Sequence, residues 1–136
     1  LALQARLAAR RSPLATGHAR AVALGPARTA ELARLLPHEP TPSQRRAMAE
    51  IQADLGRSAP MRRLLQGDVG TGKTLVGLWA VLLAAAADGQ CAFLAPTELL
   101  AEQHHAVLAP RLAAAGLPCA LLTGSLPARE RKEVLG

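Results

Sequence analysis

The chain has 136 residues, half of them hydrophobic, and a formal net charge of +6. That length suits one domain with a sizeable core. One Trp, one Phe and no Tyr exclude a base-stacking platform of several aromatics, and two widely separated cysteines exclude a disulfide scaffold.

The charge is uneven. Residues 1–66 hold eleven Arg, no Lys and four acids (Glu31, Glu39, Glu50, Asp54), a net of +7. Residues 67–136 hold five basic and six acidic residues, a net of −1. A basic half suits a polyanion such as nucleic acid; solvated Arg on helix faces is the plain alternative. With so few aromatics, any nucleic acid is expected to be held mainly by its phosphates. Cys91 and Cys119 lack the Cys/His spacing of a metal site and suit buried strands of a reduced, cytoplasmic protein. His104 and His105 would splay about 100° apart on a helix, which argues against a shared metal. The apolar run 74–87 is shorter than the ~20 residues of a membrane span and reads as a buried helix. No signal peptide is apparent. The chain opens on Leu1 rather than Met and stops after a helix-like run, so a fragment is expected.

In chain order, Leu1, Leu3, Leu7 and Ala8 among Arg6, Arg10 and Arg11 predict an amphipathic helix with a basic face, ended by Ser12-Pro13. Residues 14–26 have no period and read as a connector. A second helix is expected over about 27–36, closed by Pro37. Residues 37–43 form a Pro-rich extended segment. Thr41 then caps a helix with Pro42 at its first position and Gln44 in its first turn. Ala47, Met48, Ile51 and Leu55 make its inner stripe, Arg45, Arg46, Glu50, Gln52 and Asp54 point outward, and Gly56 ends it.

Downstream, three short strands are expected over 61–66, 91–95 and 117–122, the second buried on both faces. They alternate with helices over 73–88, 98–115 and 127–135, the middle one broken or kinked at Pro110 and ended by Gly116. Strand–helix alternation of this kind predicts a parallel sheet with right-handed crossovers, an α/β fold. Its ligands would lie at the carboxyl ends of the strands, which puts three loops on one rim.

The first of those loops is Gly67-Asp68-Val69-Gly70-Thr71-Gly72-Lys73-Thr74, a G-x-x-x-x-G-K-T pattern behind an apolar lead-in. A polyphosphate must be met by many inward-facing backbone N–H groups. Gly67, Gly70 and Gly72 permit the necessary angles and keep Cβ atoms out of the way. Lys73 places a point charge on the β- and γ-phosphates, and the Thr74 hydroxyl suits Mg²⁺. The helix that begins at Lys73 turns its positive end on the same anion. A Gly-rich turn between strand and helix is the bland reading.

The other segments give this loop a context. Thr41-x-x-Gln44, about thirty residues upstream, resembles the Q motif of superfamily 2 helicases. The Gly67–Thr74 loop resembles their motif I, Ala95-Pro96-Thr97-Glu98-Leu99-Leu100-Ala101-Glu102-Gln103-His104 their motif Ia, and Leu122-Thr123-Gly124-Ser125 the next DNA-facing motif. Taken with Pro60-Met61-Arg62-Arg63-Leu64-Leu65-Gln66, the wording over about residues 36–136 is close to the RecG family, bacterial ATP-dependent DNA helicases of branched-DNA repair and recombination.

The resemblance implies a partial RecA-like P-loop domain over 37–136 and a helical connector over 1–36. It implies ATP and Mg²⁺ as cofactors, held by residues 67–74, with Lys73 and Thr74 catalytic and Thr74 on the metal. Gln44 would read the adenine edge. Pro96, Thr97, Thr123, Gly124 and Ser125 would face branched DNA, chiefly its phosphates, in a bacterial cytoplasmic protein expected to be monomeric. His38 stands where the family usually has an aromatic Phe, which weakens adenine stacking. No Asp-Glu pair follows a strand and no second lobe with an Arg finger is present, so the chain alone is expected not to turn over ATP. The alternatives are a transcription-repair coupling translocase motor, a small-molecule P-loop kinase and a non-catalytic regulatory module.

Overall fold

A computed structural model describes residues 18–135. The helix expected over residues 1–11 lies outside them. Five helices follow in order: α1 (Pro26–Ala33), α2 (Pro42–Leu55), α3 (Lys73–Ala85), α4 (Glu98–Ala114) and α5 (Ala128–Leu135).

The core is built around α3. Its sequence is apolar on all sides, and Leu75, Val76, Leu78, Trp79, Leu82 and Leu83 are all buried, as an interior helix requires. Helices α1, α2 and α4 pack on it and bring Leu32, Met48, Ile51, Leu108 and Leu112 into one cluster. Helix α1, assigned by sequence to the connector, thus shares the core of the nucleotide loop's helix.

The local signals for α2 hold in detail. Thr41 accepts from the Gln44 N–H, the Gln44 side chain accepts from the Thr41 N–H, and Pro42 opens the helix, a complete capping box. Helices α3 and α4 both close in a Schellman arrangement. In α4 the Leu117 N–H donates to Leu112 O at 2.8 Å and Gly116 N–H to Ala113 O at 2.9 Å, with Gly116 at φ 72. In α3 the left-handed position is taken by Asp88 at φ 56, and Gly89 N–H reaches Ala84 O at 2.9 Å.

Several expectations are corrected. Helix α1 ends at Ala33 and relaxes into i→i−3 turns through Leu36. Helix α4 runs unbroken through Pro110, whose missing N–H falls on an exposed position. The parallel sheet is absent among the described residues. Residues 61–66, 91–95 and 117–122 do join the helices in the expected order, but no backbone hydrogen bond pairs one with another. A ladder needs neighbours about 4.8 Å apart, and strands consecutive in sequence need not be neighbours in a sheet. Without partners these segments remain unpaired chain, and the second is not buried: Leu94 is 91% exposed, Leu64 in the first 76%. Cys91 and Cys119, expected to be buried, are exposed for the same reason. Partial burial still pushes the Cys91 thiol pKa up.

Candidate nucleotide and nucleic-acid site

The Gly67–Thr74 loop leaves the first extended segment and feeds the N-terminus of α3. Gly70 and Gly72 sit at φ 81 and 76, angles that L side chains avoid. Gly72 has a second constraint, because a Cβ there would collide with the Gln44 amide nitrogen. A Cβ on Gly67 would stand 2.7 Å from Thr71 Oγ1. The loop is braced internally by Thr71 Oγ1, which donates to Asp68 O at 2.8 Å. Val69 is fully exposed at its tip. Lys73 Nζ donates to Gly67 O at 2.7 Å and to Asp68 O at 2.8 Å, so the ammonium lies over the loop with only backbone carbonyls as partners.

Gln44, 8% exposed, joins this loop to α2. Its Nε2 donates to Thr71 O at 2.8 Å while its Oε1 accepts from Thr41 N–H at 2.9 Å. One N–H and one lone pair of the amide remain uncommitted. The residue expected to read a base is therefore also the strut between the helix cap and the phosphate loop. A cleft of about 890 Å³ lies elsewhere, between α1 and α2 over Trp79, and contains no residue of the loop. His38 lines that cleft, exposed.

The loop geometry fits a bound polyphosphate. Gly70 and Gly72 hold the left-handed angles of a tight loop, and the Lys73 ammonium over it has the sign a polyphosphate requires. Thr74 lies in the first turn of α3. No group of three or more His, Cys, Asp or Glu side chains gathers as a metal site among the described residues.

The two downstream loops come together. Thr97 caps α4, its Oγ1 accepting from Leu100 N–H at 3.3 Å, and Pro96 stands exposed before it. Thr123 is 8% exposed, with its hydroxyl 3.0 Å from that of Ser125. Two residues that sequence reasoning missed hold this second loop. Glu98 Oε1 accepts from the Ser125 N–H at 3.1 Å, and Arg131 Nη2 donates to Gly124 O at 3.1 Å and Thr123 O at 3.4 Å. The only local signal for Glu98 is an acid in the first turn of a helix. Its partner 27 residues away leaves no local pattern. No hydrogen bond joins either downstream loop to residues 67–74 among the described residues.

Residues 41–136 match the family described as DEAD/DEAH box helicase. The chain belongs to that family. Among its relatives are proteins named ATP-dependent DNA helicase RecG. The one from Acidithiobacillus ferridurans is 55% identical over 98 residues, 72% of this chain and 14% of the relative. That from Treponema pallidum is 49% identical over 105 residues, 77% and 15% respectively. That from Escherichia coli K12 is 55% identical over 74 residues, 54% and 11%. The chain therefore spans about one-seventh of the length of the first two. Helicase membership sets aside the small-molecule kinase and implies a RecA-like α/β fold, of which these residues show the helices and loops. No helix among the described residues is long and apolar enough to cross a membrane.

Proposed function

We propose that this chain is the first part of the ATP-binding lobe of a longer bacterial, cytoplasmic DNA helicase or translocase, monomeric and acting on branched DNA in recombination and repair. The observation that carries the reading is the Gly67–Thr74 cradle with Lys73 over it and Gln44 bracing it from α2.

In this reading the backbone N–H groups of residues 67–72 and the N-terminus of α3 bind the phosphates of ATP, and Lys73 moves from its loop carbonyls onto the β- and γ-oxygens. Thr74 supplies a hydroxyl to Mg²⁺, and Gln44 turns its remaining donor and acceptor to the adenine edge. Bound there, Mg²⁺-ATP would supply the phosphoanhydride bond whose hydrolysis drives such a motor. Thr97 and the Thr123-Gly124-Ser125 loop hold DNA phosphates through hydroxyl and backbone N–H donors. Lys73 and Thr74 make only part of a hydrolytic site, since no Asp-Glu pair stands in the chain to hold Mg²⁺ or orient water.

The test is ATP hydrolysis by the longer protein with no DNA, linear DNA, and forked or four-way DNA. Strong, preferential stimulation by the branched forms, abolished by Lys73→Ala, is the expected result. Indifference to every DNA would overturn the reading.

A further inference from the structure

We infer that Glu98 is a positioning residue that ties the two DNA-facing loops into one unit. The inference rests on the DNA-contact reading of those loops. Glu98 is the first residue of α4, directly after Thr97, so its carboxylate is fixed to one loop by the helix cap. That carboxylate accepts the backbone N–H of Ser125 in the other loop at 3.1 Å.

The seat is close. A Cβ added to Gly124 would stand 2.7 Å from Glu98 Oε1, so the second loop rests directly on the carboxylate. From the carbonyl side Arg131 donates to Thr123 and Gly124. The loop is thus held by an anion on its amide and a cation on its carbonyls, each matched in sign to the group it meets.

The consequence concerns which donors are left for DNA. The Ser125 N–H is committed to Glu98, and the Thr123 and Ser125 hydroxyls share one proton between them, so the Thr97 hydroxyl and the second proton of that pair are the side-chain donors left for phosphate. Their relative placement depends on the tie. Without it the second loop samples other arrangements, and the apparent affinity for DNA falls by the fraction of time the two loops are out of register. A net hydrogen bond of about 1 kcal/mol corresponds to roughly a five-fold change at 1.4 kcal/mol per decade.

The experiment measures the ATPase rate of the longer protein against the concentration of a DNA oligonucleotide, for wild type, Glu98→Ala and Glu98→Gln. In Glu98→Ala the half-saturating DNA concentration rises roughly five-fold while the maximal stimulated rate changes less than about two-fold. In Glu98→Gln, whose amide oxygen still accepts from Ser125, half-saturation returns to within about two-fold of wild type. An unchanged half-saturation in Glu98→Ala overturns the tie. A lowered one also overturns it, by showing that the carboxylate competes with phosphate for the Ser125 amide. If Glu98→Ala does not fold, Glu98→Asp keeps the charge and withdraws the carboxylate from Ser125 by one methylene. An equal rise then supports the tie and no change overturns it. Absence of stimulation by any DNA in wild type would overturn the DNA reading itself, and the tie with it.

Discussion

Two glycines of the phosphate loop share a backbone conformation but not a surrounding. Gly70 has open space where a side chain would go, whereas at Gly72 a Cβ would strike the Gln44 amide. Both substitutions to Ala carry the left-handed penalty of about 1–2 kcal/mol. Gly72→Ala must in addition break the 2.8 Å bond from Gln44 to Thr71 O, which strands a buried amide at a cost of about 1–3 kcal/mol. Gly72→Ala is therefore expected to weaken binding of a fluorescent ATP analogue roughly five-fold or more beyond Gly70→Ala, and to lower the melting temperature of the longer protein further than Gly70→Ala does. Equal effects of the two would show that Gln44 is not a strut. The G-x-x-x-x-G-K-T spacing made the glycines legible in the sequence. It could not separate them, because the distinction is made by a side chain 28 positions upstream.

At the level of elements, what was legible was whatever the chain settles with near neighbours. Thr41, Pro42 and Gln44 specify the start of α2 within four residues, and Gly116 specifies the end of α4. The extended segments were placed correctly in order but not in partnership, since pairing is fixed by residues far away in the chain. Another long-range link is the one between α2 and the first extended segment, where Arg63 pairs with Asp54 at 2.6 Å and also with Glu50. The Asp54 carboxylate was expected on the outer face of α2, yet it is only 18% exposed. The hydrogen bond from Arg63, aided by the nearby charges of Arg63 and Arg57, holds its pKa below the ordinary 3.8. A carboxylate depressed by folding stabilises the native state above its unfolded pKa and loses that contribution as pH falls through the folded value. Chemical denaturation of wild type and Asp54→Asn is thus expected to give a stability difference that is constant from pH 7 to about 5 and shrinks below about 4. A difference independent of pH down to 2 would show that the ion pair does not couple to folding.

For the molecule as a whole, the basic N-terminal half looks different once the ion pairs are drawn. All four acids of residues 1–66 are paired with Arg: Glu31 with Arg28, Glu39 with Arg45, Glu50 with Arg63, and Asp54 with both Arg57 and Arg63. Arg20, Arg34, Arg46 and Arg62 make no ion pair among the described residues and contribute to the field that composition detected. The apolar surface follows a separate logic. Leu64, Phe93, Leu94 and Leu122 lie in the three unpaired extended segments and are 76, 43, 91 and 46% exposed. Unpaired backbone beside exposed apolar side chains is a template for association with any strand that offers itself. In a longer helicase, further strands of the same sheet would cover these segments. Expressed alone, the chain is expected to self-associate at micromolar concentration and to bind a hydrophobic dye, read by light scattering after size exclusion and by dye fluorescence. The longer protein should elute as a monomer with little dye binding. A monodisperse, dye-silent preparation of the chain by itself would mean that these segments find partners among its own residues.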